Sequence, residues 1–204
     1  MVDTTFIDKL ASADPTPGGG GACAYCGALA AALGSMVGNL TVGKPKYAQV
    51  EERVKETLGE LEALRVRLLE LIDEDARAFA PLAAAYGMPR STPEELAERD
   101  AALQSALVGA TEAPLAIMNA CVRVIELCDV MAHDGSRLAV SDAGVAAAFA
   151  RAALMGASLN VYINAKSLAD ASAADAYRAQ ADALIAEYAA KAQATFDYVA
   201  QEVR

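Results

Sequence analysis

The chain has 204 residues, with 17 Lys and Arg against 27 Asp and Glu, a formal charge of −10 and a pI near 4.6. That acidity excludes a protein whose main partner is nucleic acid, because phosphate binding needs a surplus of cations to release counterions. Hydrophobic residues make up 55% but aromatics only 5%, and alanine dominates, which excludes an all-β fold and a disordered chain and predicts one helical domain over 1–204.

Residues 4–11 read as a short amphipathic helix, broken by the Pro15-Thr16-Pro17-Gly18-Gly19-Gly20-Gly21 run. A helix over about 22–41 follows and stops at Val42-Gly43-Lys44-Pro45, since proline cannot continue it. No charge lies between Asp14 and Lys44, a stretch long enough to span a bilayer. Its side chains are small rather than bulky, so a buried, closely packed helix is expected, with no membrane partner. The third helix covers about 47–86. Its leucines recur at three- and four-residue steps (Leu61, Leu64, Leu68, Leu71), the stripe runs on through Phe79, Leu82 and Tyr86, and Pro81 should kink it.

Ser91-Thr92-Pro93-Glu94-Glu95 is a strong helix start, with a capping hydroxyl, proline in the first turn and acids at the positive dipole end. That helix runs to about His133, with a kink near Pro114, and Asp134-Gly135-Ser136 stops it. Ser141-Asp142 should cap a helix over 142–164, whose buried stripe reads Val145, Phe149, Ala152, Gly156, Leu159 and Ile163. A last helix covers 174–203. Long antiparallel helices joined by short loops make an all-α, up-and-down bundle. A core this rich in alanine should bury more surface against a second copy, as a homodimer. No secretory leader is visible, so the cytoplasm is the expected location.

Three familiar motifs are better read as structure. Cys23-Ala24-Tyr25-Cys26 has the C-x-x-C spacing of redox and zinc sites but lies inside a helix with no strand before it. One histidine, His133, rules out a His-rich metal centre within the chain and suits a helix C-terminus. Gly38 to Lys44 matches the first seven places of a phosphate-binding loop, but the eighth residue is Pro45 where Ser or Thr is needed, and a helix precedes it.

Other residues carry more information. The glycine run before a helix lets a ligand approach backbone N–H groups; it could equally be a hinge or a tight helix crossing. Asp75 falls on an apolar stripe, where a carboxylate is costly unless paired or used. Asp142 is either a plain helix cap or, with Ser141 capping, free to point inward. Asn160 and Asn164 stand four apart on one helix face, and amides that both donate and accept suit a flat ring with mixed polar edges.

In order along the chain, Phe6-Ile7-Asp8-Lys9-Leu10-Ala11, Pro15-Thr16-Pro17-Gly18-Gly19-Gly20, Asn39-Leu40-Thr41-Val42-Gly43-Lys44, Ile72-Asp73-Glu74-Asp75-Ala76, Ser141-Asp142-Ala143-Gly144 and Asn160-Val161-Tyr162-Ile163-Asn164 resemble the cyclodeaminase/cyclohydrolase family. Members often have Ser after the third glycine, where this chain has Gly21. The resemblance implies an all-α dimer acting on a tetrahydrofolate derivative as substrate, with no cofactor and no metal. It implies hydrolysis of 5,10-methenyltetrahydrofolate to 10-formyltetrahydrofolate or, alternatively, cyclodeamination of 5-formiminotetrahydrofolate. Asp142 would be the base, Asp75 would position or share the proton, and Lys44 would stabilise oxygen charge or protonate the leaving nitrogen. Gly18, Gly19, Gly20, Asn39, Thr41, Ser141, Asn160 and Asn164 would hold the substrate. A non-catalytic helical interaction module is the alternative of another class, in which Asp75 would be salt-bridged.

Overall fold

The computed structural model describes residues 4–204. Every regular element among them is helical: α1 (Thr5–Leu10), α2 (Gly19–Asn39), α3 (Glu51–Tyr86), α4 (Pro93–Asp134), α5 (Val140–Ala165) and α6 (Ala171–Glu202). Short 3-10 turns occupy Pro45–Tyr47 and Arg137–Ala139. Helices α2 to α5 form a ring in which each packs on the next and α5 returns to α2, while α6 lies outside against α4 and α5. This is the helical bundle expected from the sequence.

The α4 start follows its local chemistry. Thr92 Oγ1 accepts the Glu95 N–H at 3.2 Å, and Glu95 Oε2 accepts the Thr92 and Ser91 N–H groups at 3.2 and 2.7 Å, a reciprocal cap with Pro93 in the first turn. Four other starts differ from expectation, among them that of α2, which opens at Gly19 and not near residue 22. The 3-10 turn at Pro45 delays α3 to Glu51. Helix α6 opens at Ala171, because the Asp170 carboxylate accepts the Ser172 and Ala173 N–H groups. Helix α5 opens at Val140 with no side-chain cap, so Ser141 and Asp142 lie inside its first turn instead of capping it. Tertiary bonds set that boundary: Thr41 Oγ1 accepts the Ser136 N–H at 2.7 Å, and the Tyr47 hydroxyl accepts the Arg137 N–H at 3.0 Å.

The buried face of α5 is the opposite of the expected one. Leu159 and Ile163 are each 66% exposed, and Val145 and Phe149 also face outward, whereas Ala143, Ala147, Ala150, Leu154, Ala157 and Val161 are buried. The helix is apolar on every side, so bulk did not mark its inner face. Close approach to α2 did: a Cβ on Gly156 would fall 2.6 Å from Cys23 Sγ. On α3 the leucine stripe is inward as expected, with Leu61, Leu68, Leu71 and Leu82 buried, but Tyr86 at its end is exposed. Cys121 and Cys128 are buried free thiols, and burial pushes the free Cys23 thiol up to about 11, helped by Cys26 and Asp75, so the C-x-x-C pair is not poised for redox chemistry.

Two stretches, Gly19–Asn39 and Arg137–Ala165, are long and apolar enough to cross a membrane by length and composition. About half of each apolar window is buried inside the bundle, 56% and 50%. The remainder forms an uncovered apolar edge along α2 and α5.

Candidate active site

The glycine run is not a loop. Helix α2 begins at Gly19, so Gly19, Gly20 and Gly21 form its first turn, with no side-chain cap and no acid of its own. The carboxylate at this helix start comes from α3. Asp75 lies against Gly20 so closely that a Cβ there would stand 2.5 Å from its Cγ and Oδ2. The Gly21 backbone N–H donates to that carboxylate. Glycine is required at position 20 because the acid occupies the place of its side chain.

Asp75 is half-buried, and among the described residues it has no ion-pair partner. Burial pushes its carboxyl above the ordinary aspartate range, and the Gly21 N–H offsets part of that rise. The salt-bridged Asp75 of a purely structural bundle is therefore not what the fold contains.

A cavity of about 290 Å³ opens beside this acid. Pro15, Thr16 and Gly18–Gly20 form one wall, Asp75, Phe79, Leu82 and Tyr86 another, and Asn160, Ile163, Asn164 and Ser167 a third. Asn160 Nδ2 donates to the Gly156 carbonyl at 3.2 Å, and Asn164 Nδ2 donates to Ala110 O of α4 at 2.6 Å. Each amide keeps its side-chain oxygen and one N–H for the cavity. The wall combines an apolar aromatic side, two amides and one unpaired carboxylate, the composition of a small-molecule site.

Gly18, Gly19, Gly20, Asp75, Asn160 and Asn164 thus meet in one place. The other candidates do not join them within one chain. Thr41 is fully buried; its hydroxyl donates to Val37 O at 2.7 Å and accepts the Ser136 N–H, tying the end of α2 to the α5 turn. Asn39 is exposed in a shallow hollow with Ser35, Met36 and Arg65. Lys44 is half-buried just beyond it and makes no ion pair among the described residues. Ser141 is exposed and Asp142 half-buried in the first turn of α5, beside that same end of α2.

The sequence reading missed Thr16 and Ser167 as polar lining and took Phe79 and Tyr86 for core. Thr16 was within reach, since it sits inside the Pro-Thr-Pro-Gly motif. Tyr86 was not, because only the tertiary fold leaves the end of α3 uncovered.

The profile of the formiminotransferase-cyclodeaminase family matches residues 3–183. The chain belongs to that family. It is 46% identical over 199 residues to a methenyltetrahydrofolate cyclohydrolase of Methylorubrum extorquens, covering 98% of this chain and 96% of that protein. It is 34% identical over 173 residues to the formimidoyltransferase-cyclodeaminase of Mus musculus, of which it spans about a third (32%). A crystal structure of formiminotetrahydrofolate cyclodeaminase from Thermotoga maritima superposes with a TM-score of 0.81 at 28% identity, covering 99% of this chain and 95% of that one. The family expected from the motif order is therefore the one found, and the fold agrees with it.

Proposed function

We propose that the protein is a methenyltetrahydrofolate cyclohydrolase. The observation that carries this reading is the unpaired, half-buried Asp75 carboxylate facing a cavity of folate-ring chemistry, in a chain 46% identical, end to end, to a protein of that name. The substrate's bridging carbon lies between two nitrogens and shares their positive charge. Asp75 beside it stabilises that charge and takes a proton from the attacking water as the new C–O bond forms. The tetrahedral adduct then collapses: its hydroxyl proton passes to solvent as the C=O bond forms, the bond to one ring nitrogen breaks, that nitrogen receives the proton held by Asp75, and the carbon stays on the other nitrogen as a formyl group.

The sequence reading favoured Asp142 as base. Within one chain Asp75, not Asp142, lines the cavity, so the base is assigned to Asp75. Its raised proton affinity fits the task, since a base must hold the proton it removes. Asn160 and Asn164 bond the polar edge of the pterin, with Phe79 and Tyr86 on its apolar side. The reading includes a homodimer, supported by the exposed apolar side chains of α2 and α5, and a cytoplasmic location.

The Thermotoga structure supports a second reading, cyclodeamination of 5-formiminotetrahydrofolate with release of ammonia. It passes through a similar tetrahedral carbon. Purified protein is given each substrate in turn, following methenyl absorbance and ammonia. Rapid loss of the methenyl absorbance with no deaminase activity is the expected result; ammonia release from the formimino substrate alone establishes the second reading, and silence toward both removes the enzymatic account.

A further inference from the structure

A second cavity begins where the first ends. It has a volume of about 360 Å³ and lies under α1, between Phe6 and Lys9 of that helix, Thr16 and Pro17 of the connection, and Ile72 and Asp73 of α3. Thr16 lines both cavities. Asp75 stands at their boundary. On α3, Ile72 lies one turn before it, in the second cavity, and Phe79 one turn after it, in the first. On α2 the same boundary falls between adjacent residues. Asp75 fills the side-chain place of Gly20, whereas a Cβ on Gly21 would stand 3.2 Å from Pro17 and 3.5 Å from Ile72.

Helix α1 adds little to the core. None of its residues is fully buried, and Phe6 is half-buried, with its ring centroid 4.9 Å from that of Tyr25 on α2. An apolar wall held over open space forgoes the contacts that a closed helix pair would make. Lys9 adds an unused charge. It is exposed and makes no ion pair among the described residues, although Asp73 lines the same space. The neighbouring Asp8 is engaged locally, since the Thr4 hydroxyl donates to it at 2.8 Å.

The substrate has a shape that needs two receptacles. Its reacting carbon joins the pterin to an aminobenzoyl ring, and that ring carries a glutamate through an amide. A carboxylate placed at the reacting carbon therefore has the pterin on one side and the aminobenzoyl-glutamate arm on the other. The amides of Asn160 and Asn164 assign the pterin to the first cavity, whose described lining holds no cation for the arm's carboxylates. The second cavity carries Lys9. We propose that the cavity under α1 holds this arm, its ring against Phe6, Pro17 and Ile72 and its carboxylates met by Lys9, so that Lys9 sets the preference for a glutamate-bearing folate. This rests on the cyclohydrolase reading for the identity of the substrate. Lys9 is remote from the reacting carbon, so it holds substrate and transition state alike and acts on KM.

The test removes each partner of the pair in turn. Wild type and K9M, both checked for folding by circular dichroism, are assayed with methenyltetrahydrofolate and with methenyltetrahydropteroate, which lacks the glutamate. Loss of the glutamate should raise the wild-type KM by about three- to tenfold, the worth of one solvent-facing charge pair. In K9M the two substrates should share one KM, close to the wild-type value for the shorter one, and K9R should restore the preference. D73N removes the acid that lines the same space and should strengthen it. An equal loss in wild type and K9M overturns the inference and leaves the cyclohydrolase reading standing. So does a preference abolished by K166M instead, because Lys166 adjoins Ser167 on the far wall of the first cavity. A second arm needs no turnover. Aminobenzoylglutamate alone is titrated into isotope-labelled protein and followed by NMR. It should shift the amides of Phe6, Lys9 and Ile72, and K9M should bind it at least about threefold more weakly. Shifts elsewhere, or equal affinity for both proteins, overturn the inference even if neither folate is turned over.

Discussion

Replacing Gly20 with alanine probes the contact on which the site is built. The new methyl group would stand 2.5 Å from Cγ and Oδ2 of Asp75, well inside van der Waals contact, and the Gly20 backbone belongs to a helix that cannot yield. The carboxylate must swing away and loses the Gly21 N–H. Overpacking of this kind costs about 1–3 kcal/mol. The better helix propensity of alanine returns up to about 1 kcal/mol, so the net loss of stability is at most about 3 kcal/mol and about 2 kcal/mol where that return is full. Displacement of a reacting group by roughly 1 Å lowers turnover about a hundredfold. The assay pairs methenyl-absorbance decay with a thermal melt on the same sample. A folded G20A protein with wild-type turnover would refute the assignment of Asp75 to the chemistry.

Asp75→Asn should lower turnover by about 10²–10⁴-fold while raising stability at neutral pH, measured by urea unfolding. The sign follows from linkage: burial raises the folded pKa above the unfolded value, so the native state holds the extra proton, and stability falls as pH rises through that window. In the wild type, turnover should fall on the acid side at a pH above the ordinary aspartate value of about 3.9, and that limb should vanish with any residual D75N activity. Thr41→Val breaks two buried hydrogen bonds and orphans the Ser136 N–H, for a loss of about 1–3 kcal/mol in chemical denaturation. Leu61→Ala, at a fully buried position, should cost about 2–5 kcal/mol in the same assay. Gly59→Ala meets nothing within 4 Å in the middle of α3 and should raise stability by roughly 0.5–1 kcal/mol with turnover unchanged.

Local sequence determined much of this protein. Alanine and leucine periodicity named the helices, Thr92 to Glu95 set the start of α4, and the place of Asp75 on a leucine stripe marked the acid that the fold half-buries. Motif order along the chain identified the family. The tertiary structure decided the rest. Helix α5 is apolar all round, so nothing in its pattern could say that alanines face inward and Leu159 and Ile163 outward; the close approach of α2 made that choice, because small side chains fit between the helices and large ones do not. Three glycines in succession read as a break, yet they begin α2, because the Asp75 carboxylate from another helix fills the space that a side chain would need and bonds the backbone there. The separation of Lys44 and Asp142 from Asp75 within one chain is likewise a matter of distance along packed helices, which a linear pattern does not contain.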